Sequence, residues 1–136
     1  MTIYLRSFRP MIQSLDGQMR KLSDELRERT KQFALHVIDL FRSLPHTEEA
    51  RVLGRQLLRS GTSVAANYRA ACRARSKAEF VAKIGVVVEE SDETVFWLEL
   101  LADSHILPAP QLDGLLTEAN ELLAIFAASQ RTARRN

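Results

Sequence analysis

Arg51, Arg55, Arg59, Arg69 and Arg73 are the residues whose type and spacing point most directly to chemistry. At about 100° per residue they fall within an arc of roughly 80° on one helix. They make a line of positive charge roughly 30 Å long. A guanidinium forks to match phosphate or carboxylate with two hydrogen bonds. The chemistry is therefore electrostatic recognition of a nucleic-acid backbone or an acidic protein. A solvated helix face produces the same pattern with no ligand at all.

A second constellation is the acidic run Glu89-Glu90-Ser91-Asp92-Glu93. All-α nucleotide pyrophosphohydrolases hold Mg²⁺ with carboxylates spaced in this way. They also need an acidic pair on a facing helix, for which Glu118 and Glu121 are the nearest match. His36, His46 and His105 are scattered, without the spacing of a zinc site. Cys72, the single cysteine, is expected in the core. There is no nucleophile–base motif and no phosphate-cradling glycine loop, so neither a catalytic residue nor a cofactor is expected. Ser63 and Asn67, one turn apart, predict a buried hydrogen-bond pair between helices.

The same acidic segment carries Val86, Phe96, Trp97 and Leu100 on the side opposite its expected core stripe, mixed with Glu89, Glu93 and Asp103. A bundle helix needs one buried stripe, and a second one bearing Phe and Trp should not sit in water. Aromatic anchors ringed by charge mark a protein–protein interface. The alternative is that Trp97 packs on a neighbouring helix. Arginine on one helix and carboxylate on the next could also pair between copies, a heterologous contact that closes into a ring or grows into a filament. They could equally pair inside one chain.

The elements that must position these residues are helices. Apolar residues recur at helical spacing in four segments. The first begins near Ser23 or Asp24 as N-cap and carries Leu26, Phe33, Val37, Leu40, Phe41 and Leu44, with Pro45 as its stop. The second runs from Thr47 to about Arg75, with Gly61 as a possible bend. Ser76 and Glu79 have capping-box spacing at the head of the third, which reaches about Ser104. Pro108 and Pro110 open the fourth. Short links make an all-α, up-down-up-down antiparallel four-helix bundle. Residues 1–22, with Pro10 and Gly17, read as a weakly ordered N-terminal arm, with Met11 and Met19 as alternative starts. The bundle domain spans 23–130, and 131–136 is a basic tail.

The 136 residues are 46% hydrophobic and 26% charged, a composition that fits one globular domain. No apolar run approaches the ~18 residues of a membrane span, and one cysteine fits a reducing cytoplasm. The formal charge of +2 is unevenly spread. Residues 1–44 carry eight basic and five acidic groups, 45–83 eight and three, 84–130 none and nine, and the last six residues three basic. The basic and acidic halves are thus separate surfaces, which fits self-association and anion binding.

The run from Gln56 to Asn67, with Ser63 and Asn67 as S-x-x-x-N, is followed by R-S-x-x-E-F from Arg75 to Phe80. Both pieces, in this order and at this separation, resemble the bacterial four-helix bundle family named for proteins encoded in intervening sequences of 23S rRNA genes. The resemblance covers about residues 24–127. It implies an up-down bundle and a homopentameric ring, and some relatives bind nucleic acid through a basic surface. It brings no catalytic residues. The reading that follows is a non-catalytic, homo-oligomeric cytoplasmic protein that associates with RNA or DNA through Arg51, Arg55, Arg59, Arg69 and Arg73. Val86, Glu89, Glu93, Phe96, Trp97 and Leu100 would form the oligomer interface. A protein-interaction scaffold is the alternative, and an Mg²⁺-dependent nucleotide hydrolase the third.

Overall fold

Four α-helices make up the chain: α1 (Thr2–Ser43), α2 (Glu48–Cys72), α3 (Lys77–Asp103) and α4 (Ala109–Arg135). The computed structural model describes the backbone of residues 2–135 and the side chains of 17–135. Among the described residues there is no strand. Each helix packs on the next in sequence, and α4 returns to α1 over the smallest contact. The short turns make consecutive helices antiparallel, the expected bundle.

Local chemistry places the turns. Thr47 caps α2, its hydroxyl accepting from Ala50 N at 3.3 Å. Ser76 caps α3 and accepts from Glu79 N at 3.1 Å. Glu79 reaches back as expected, but to the Arg75 N–H at 3.5 Å rather than to the cap's own. Between α3 and α4, His105 takes a positive φ of 59°, tolerable for a short polar-tipped residue in a tight turn.

One helix boundary differs from the sequence expectation. Ser23 and Asp24 do not start α1; they lie inside it. No proline or glycine stands between Gly17 and Pro45 to interrupt the helix. The arm expected over 1–22 lies, for residues 1–16, outside the described side chains. At the other end α4 continues through Gln130 to Arg135, so the basic tail begins as helix. Asn136 lies outside the described residues.

The core is a single layered cluster that includes Phe33 and Val37 of α1, Leu57 and Val64 of α2, Ile84, Val87 and Leu98 of α3, and Leu112, Leu122 and Phe126 of α4. Tyr68 and Phe126 meet across it with ring centres 5.0 Å apart. Four polar residues are buried with them: Thr30, Ser60, Ser91 and Thr94. Each hydroxyl donates to a backbone carbonyl about one turn back in its own helix, for example Ser91 Oγ to Val87 O at 2.7 Å. Their burial thus leaves no lone polar atom in an apolar layer.

Gly54 and Gly61 set the α1–α2 distance. A Cβ on Gly54 would stand 2.5 Å from Leu44 Cδ1, and one on Gly61 2.9 Å from Val37 Cγ2. The two glycines are seven residues apart, so both face α1. Gly61, read from sequence as a possible bend, is instead the point where a bare backbone admits a branched side chain. The register Leu44–Gly54 and Val37–Gly61 fixes the α2 arginines beside α1.

Candidate nucleic-acid interface

The five arginines of α2 are all exposed, but they do not act as one stripe. Arg59 leans toward α3. Its Nη2 donates to Glu93 Oε1 at 2.5 Å and its Nη1 lies 3.4 Å from Glu90 Oε1. The hydrogen bond from Arg59 holds the Glu93 carboxyl below its ordinary titration range, and the same bond raises the guanidinium. Pairing inside one chain is therefore the outcome for Arg59. Its wheel position explains this: it lies farthest toward the α3 side of the arc.

Arg51, Arg55, Arg69 and Arg73 make no ion pair among the described residues. They border two open grooves along the α1–α2 seam. One, of about 570 Å³, has Arg69 and Arg73 on the α2 side and Arg27 and Lys31 on the α1 side. Its floor is Thr62, Ala65 and Ala66. Asp24 and Glu28 also line it; Asp24 is engaged by Arg27, and Glu28 accepts from Gln32 Nε2 at 2.9 Å. The other groove, of about 410 Å³, lies by the first turn, where Arg51 and Arg55 face Arg42 and His46. Sequence reasoning on α2 alone missed Arg27, Lys31 and Arg42. The signal was present as eight basic residues in 1–44, but nothing local to α1 says which of them face α2.

The expected interface stripe on α3 also divides. Phe96 is 50% exposed, and Glu89 is exposed. Val86, Glu93, Trp97 and Leu100 are half-buried. Trp97 packs against the core and donates from Nε1 to Glu93 Oε1 at 3.1 Å. Phe96 meets it edge-on at 5.0 Å. The sequence expectation that this stripe stands free of the monomer is thus corrected for Trp97, whose indole is partly in the chain's own core. Phe96 remains the apolar residue of the stripe that faces solvent.

The Mg²⁺ reading required the two acidic groups to converge. Glu118 and Glu121 are instead taken up on the α1–α4 side by Arg29, whose Nε donates to Glu118 Oε2 at 2.8 Å. That bond holds the Glu118 carboxyl low. Glu90 and Glu93 are occupied on the α2–α3 side by Arg59. Among the described residues no three His, Cys, Asp or Glu side chains are grouped to hold a metal ion. Ser63 and Asn67 are likewise not a buried interhelical pair. Both are half-buried, and Asn67 Nδ2 donates to the backbone carbonyl of Ser63 at 2.9 Å within α2. Cys72 is half-buried against the core beside Tyr68, whose phenol burial pushes up to about 12.

The family described as 23S rRNA-intervening sequence protein matches residues 23–128. A crystal structure of a protein with unknown function from the S23 ribosomal protein family of Bacteroides thetaiotaomicron superposes with a TM-score of 0.74. It is 28% identical, and the match covers 80% of this chain and 97% of that one. No curated protein matches the sequence. Among the described residues no helix is long and apolar enough to cross a membrane.

Proposed function

Because the chain belongs to the 23S rRNA-intervening sequence protein family, we propose that it is a non-catalytic, homo-oligomeric cytoplasmic protein that binds RNA or another nucleic acid through the basic face of α2. One observation carries this reading. Arg51, Arg55, Arg69 and Arg73 are exposed, are spent on no carboxylate among the described residues, and open on the same side of the bundle. Unpaired arginines along a helix attract phosphate, and each phosphate neutralised releases counterions. Assembly into a ring, with five copies expected from the family resemblance, would multiply that surface.

A titration of labelled RNA and DNA at several salt concentrations tests the reading. Wild type should bind at low salt, with affinity falling steeply as salt rises. An Arg55→Glu, Arg69→Glu variant should bind much more weakly while keeping its oligomeric mass. Absence of wild-type binding at low salt would sink the proposal. Recovery of the protein from cells and sequencing of the bound nucleic acid identifies the natural ligand.

The second reading is a scaffold whose arginines meet acidic protein surfaces. The Arg59–Glu93 pair favours it, since it joins the two charge types within one copy and the same pairing would serve between copies. Loss of oligomers in the arginine variant is the outcome that would put this reading first.

A further inference from the structure

We infer that α1 supplies half of the phosphate contact, and that the groove walled by Arg27 and Lys31 on α1 and by Arg69 and Arg73 on α2 receives a single strand of nucleic acid. This inference rests on the nucleic-acid reading above and names its site and the form of its ligand.

The charge of the groove comes first. Four basic side chains face two acidic ones, and both acids are already occupied, Asp24 by Arg27 and Glu28 by Gln32. Lys31, Arg69 and Arg73 have no carboxylate partner among the described residues. On each wall the two basic residues are one helical turn apart, roughly 6 Å along the axis. A ligand lying in the groove therefore meets positive charge from both sides at a regular interval.

Shape selects the form of the ligand. The major groove of a duplex accepts a convex helix, which inserts as a ridge. Here the basic groups border a depression between two helices. Its floor is Thr62, Ala65 and Ala66, side chains small enough for a backbone to approach closely. A depression of this kind takes a strand. No aromatic side chain lines it, so bases have no stacking platform and little preference among them is expected. An acidic peptide fits less well, because successive side chains of an extended chain point to opposite sides, whereas a polynucleotide carries a phosphate at every residue.

The experiment titrates three probes of equal length, a poly-uridine strand, a poly-thymidine strand and a mixed-sequence duplex, across a salt series. The proteins are wild type, Arg27→Ala/Lys31→Ala and Arg59→Ala. Arg27 and Lys31 are exposed, so the double variant keeps its core, and circular dichroism and light scattering check fold and assembly. The single strands should bind more tightly than the duplex. The double variant should lose roughly 10- to 100-fold in affinity at about 50 mM salt, with the logarithmic salt slope reduced by about 1.4, two contacts at ~0.7 each. Arg59→Ala should change little. If wild type binds but the double variant binds equally, or the duplex is preferred, the groove assignment is overturned and the wider reading stands. Competition by poly-glutamate at equal charge concentration, as effective as by the oligonucleotide, overturns it in favour of an acidic protein. If wild type binds none of the probes, both fall together.

Discussion

Arg59 and Trp97 donate to the same oxygen, Oε1 of Glu93, at 2.5 and 3.1 Å. One carboxylate on α3 thereby anchors the middle of α2 and fixes the orientation of the indole. The arginine is spent on the fold and the tryptophan is held by it, although sequence spacing suggested ligand contact for one and a subunit interface for the other.

Removing that carboxylate should loosen the α2–α3 seam. Arg59 is 51% exposed, so its pair with Glu93 contributes only about 0.5 kcal/mol after solvent screening. Glu93→Ala also strands the indole N–H, and its total cost should be about 1 kcal/mol. Urea unfolding followed by Trp97 fluorescence measures both the loss of stability and the release of the indole. A Glu93→Ala protein with unchanged midpoint and unchanged emission would show the shared oxygen to be incidental.

Arg29 should act as a latch between α1 and α4, the least closely packed pair of helices. Its pairs with Glu118 and Glu121 are about one-third exposed on the arginine side, so Arg29→Ala should cost about 1 kcal/mol at neutral pH. The pH dependence has a defined sign. The Glu118 carboxyl titrates lower in the folded chain than in the unfolded one, chiefly because Arg29 donates to it. The contribution is complete above the ordinary carboxylate value and is lost as pH falls through the lowered one. The stability gap between wild type and Arg29→Ala should stay constant from pH 7 to about 5 and close below about 4. A gap that persists in acid would mean that packing of the arginine stem, not charge, makes the difference.

Two glycine substitutions should have opposite signs. Gly61→Ala places a methyl 2.9–3.0 Å from both γ carbons of Val37, which is fully buried and has one favoured rotamer in a helix. The helices must part, at about 1–3 kcal/mol, more than the ~1 kcal/mol gained from helix propensity. Gly114→Ala meets nothing within 4 Å and should stabilise by about 0.5–1 kcal/mol. Thermal melts of the two variants decide it, and a stabilised Gly61→Ala would contradict the close approach of α1 and α2.

Phe96→Glu should separate assembly from folding. The ring is half in solvent, so a charge there leaves the core of one chain intact but opposes burial against another. Light scattering should give a multiple of 15.4 kDa for wild type, five copies being the expected number, and a smaller mass for the variant with its far-ultraviolet helix signal retained. A wild type that is monomeric at micromolar concentration would remove the interface.

The sequence by itself determined the four helices, because apolar spacing, the Thr47 and Ser76 caps and Pro45 act within a turn or two of where they stand. It determined the core stripe as well: Phe33, Val37, Ile84, Val87, Leu122 and Phe126 are buried as their periodicity requires. The absence of any stop between Gly17 and Pro45 was also legible there, although Ser23 looked like a cap. Only the tertiary structure decided which charges meet. Arg59 and Arg69 lie on the same arc of α2, yet one closes on Glu93 and the other opens on a groove beside Lys31. That difference depends on the rotation of α3 and α1 about α2, and on the distance that Gly54 and Gly61 allow. A helical wheel carries the angle of each side chain on its own axis. It holds no information about the neighbouring axis, and a long arginine side chain finds its partner there.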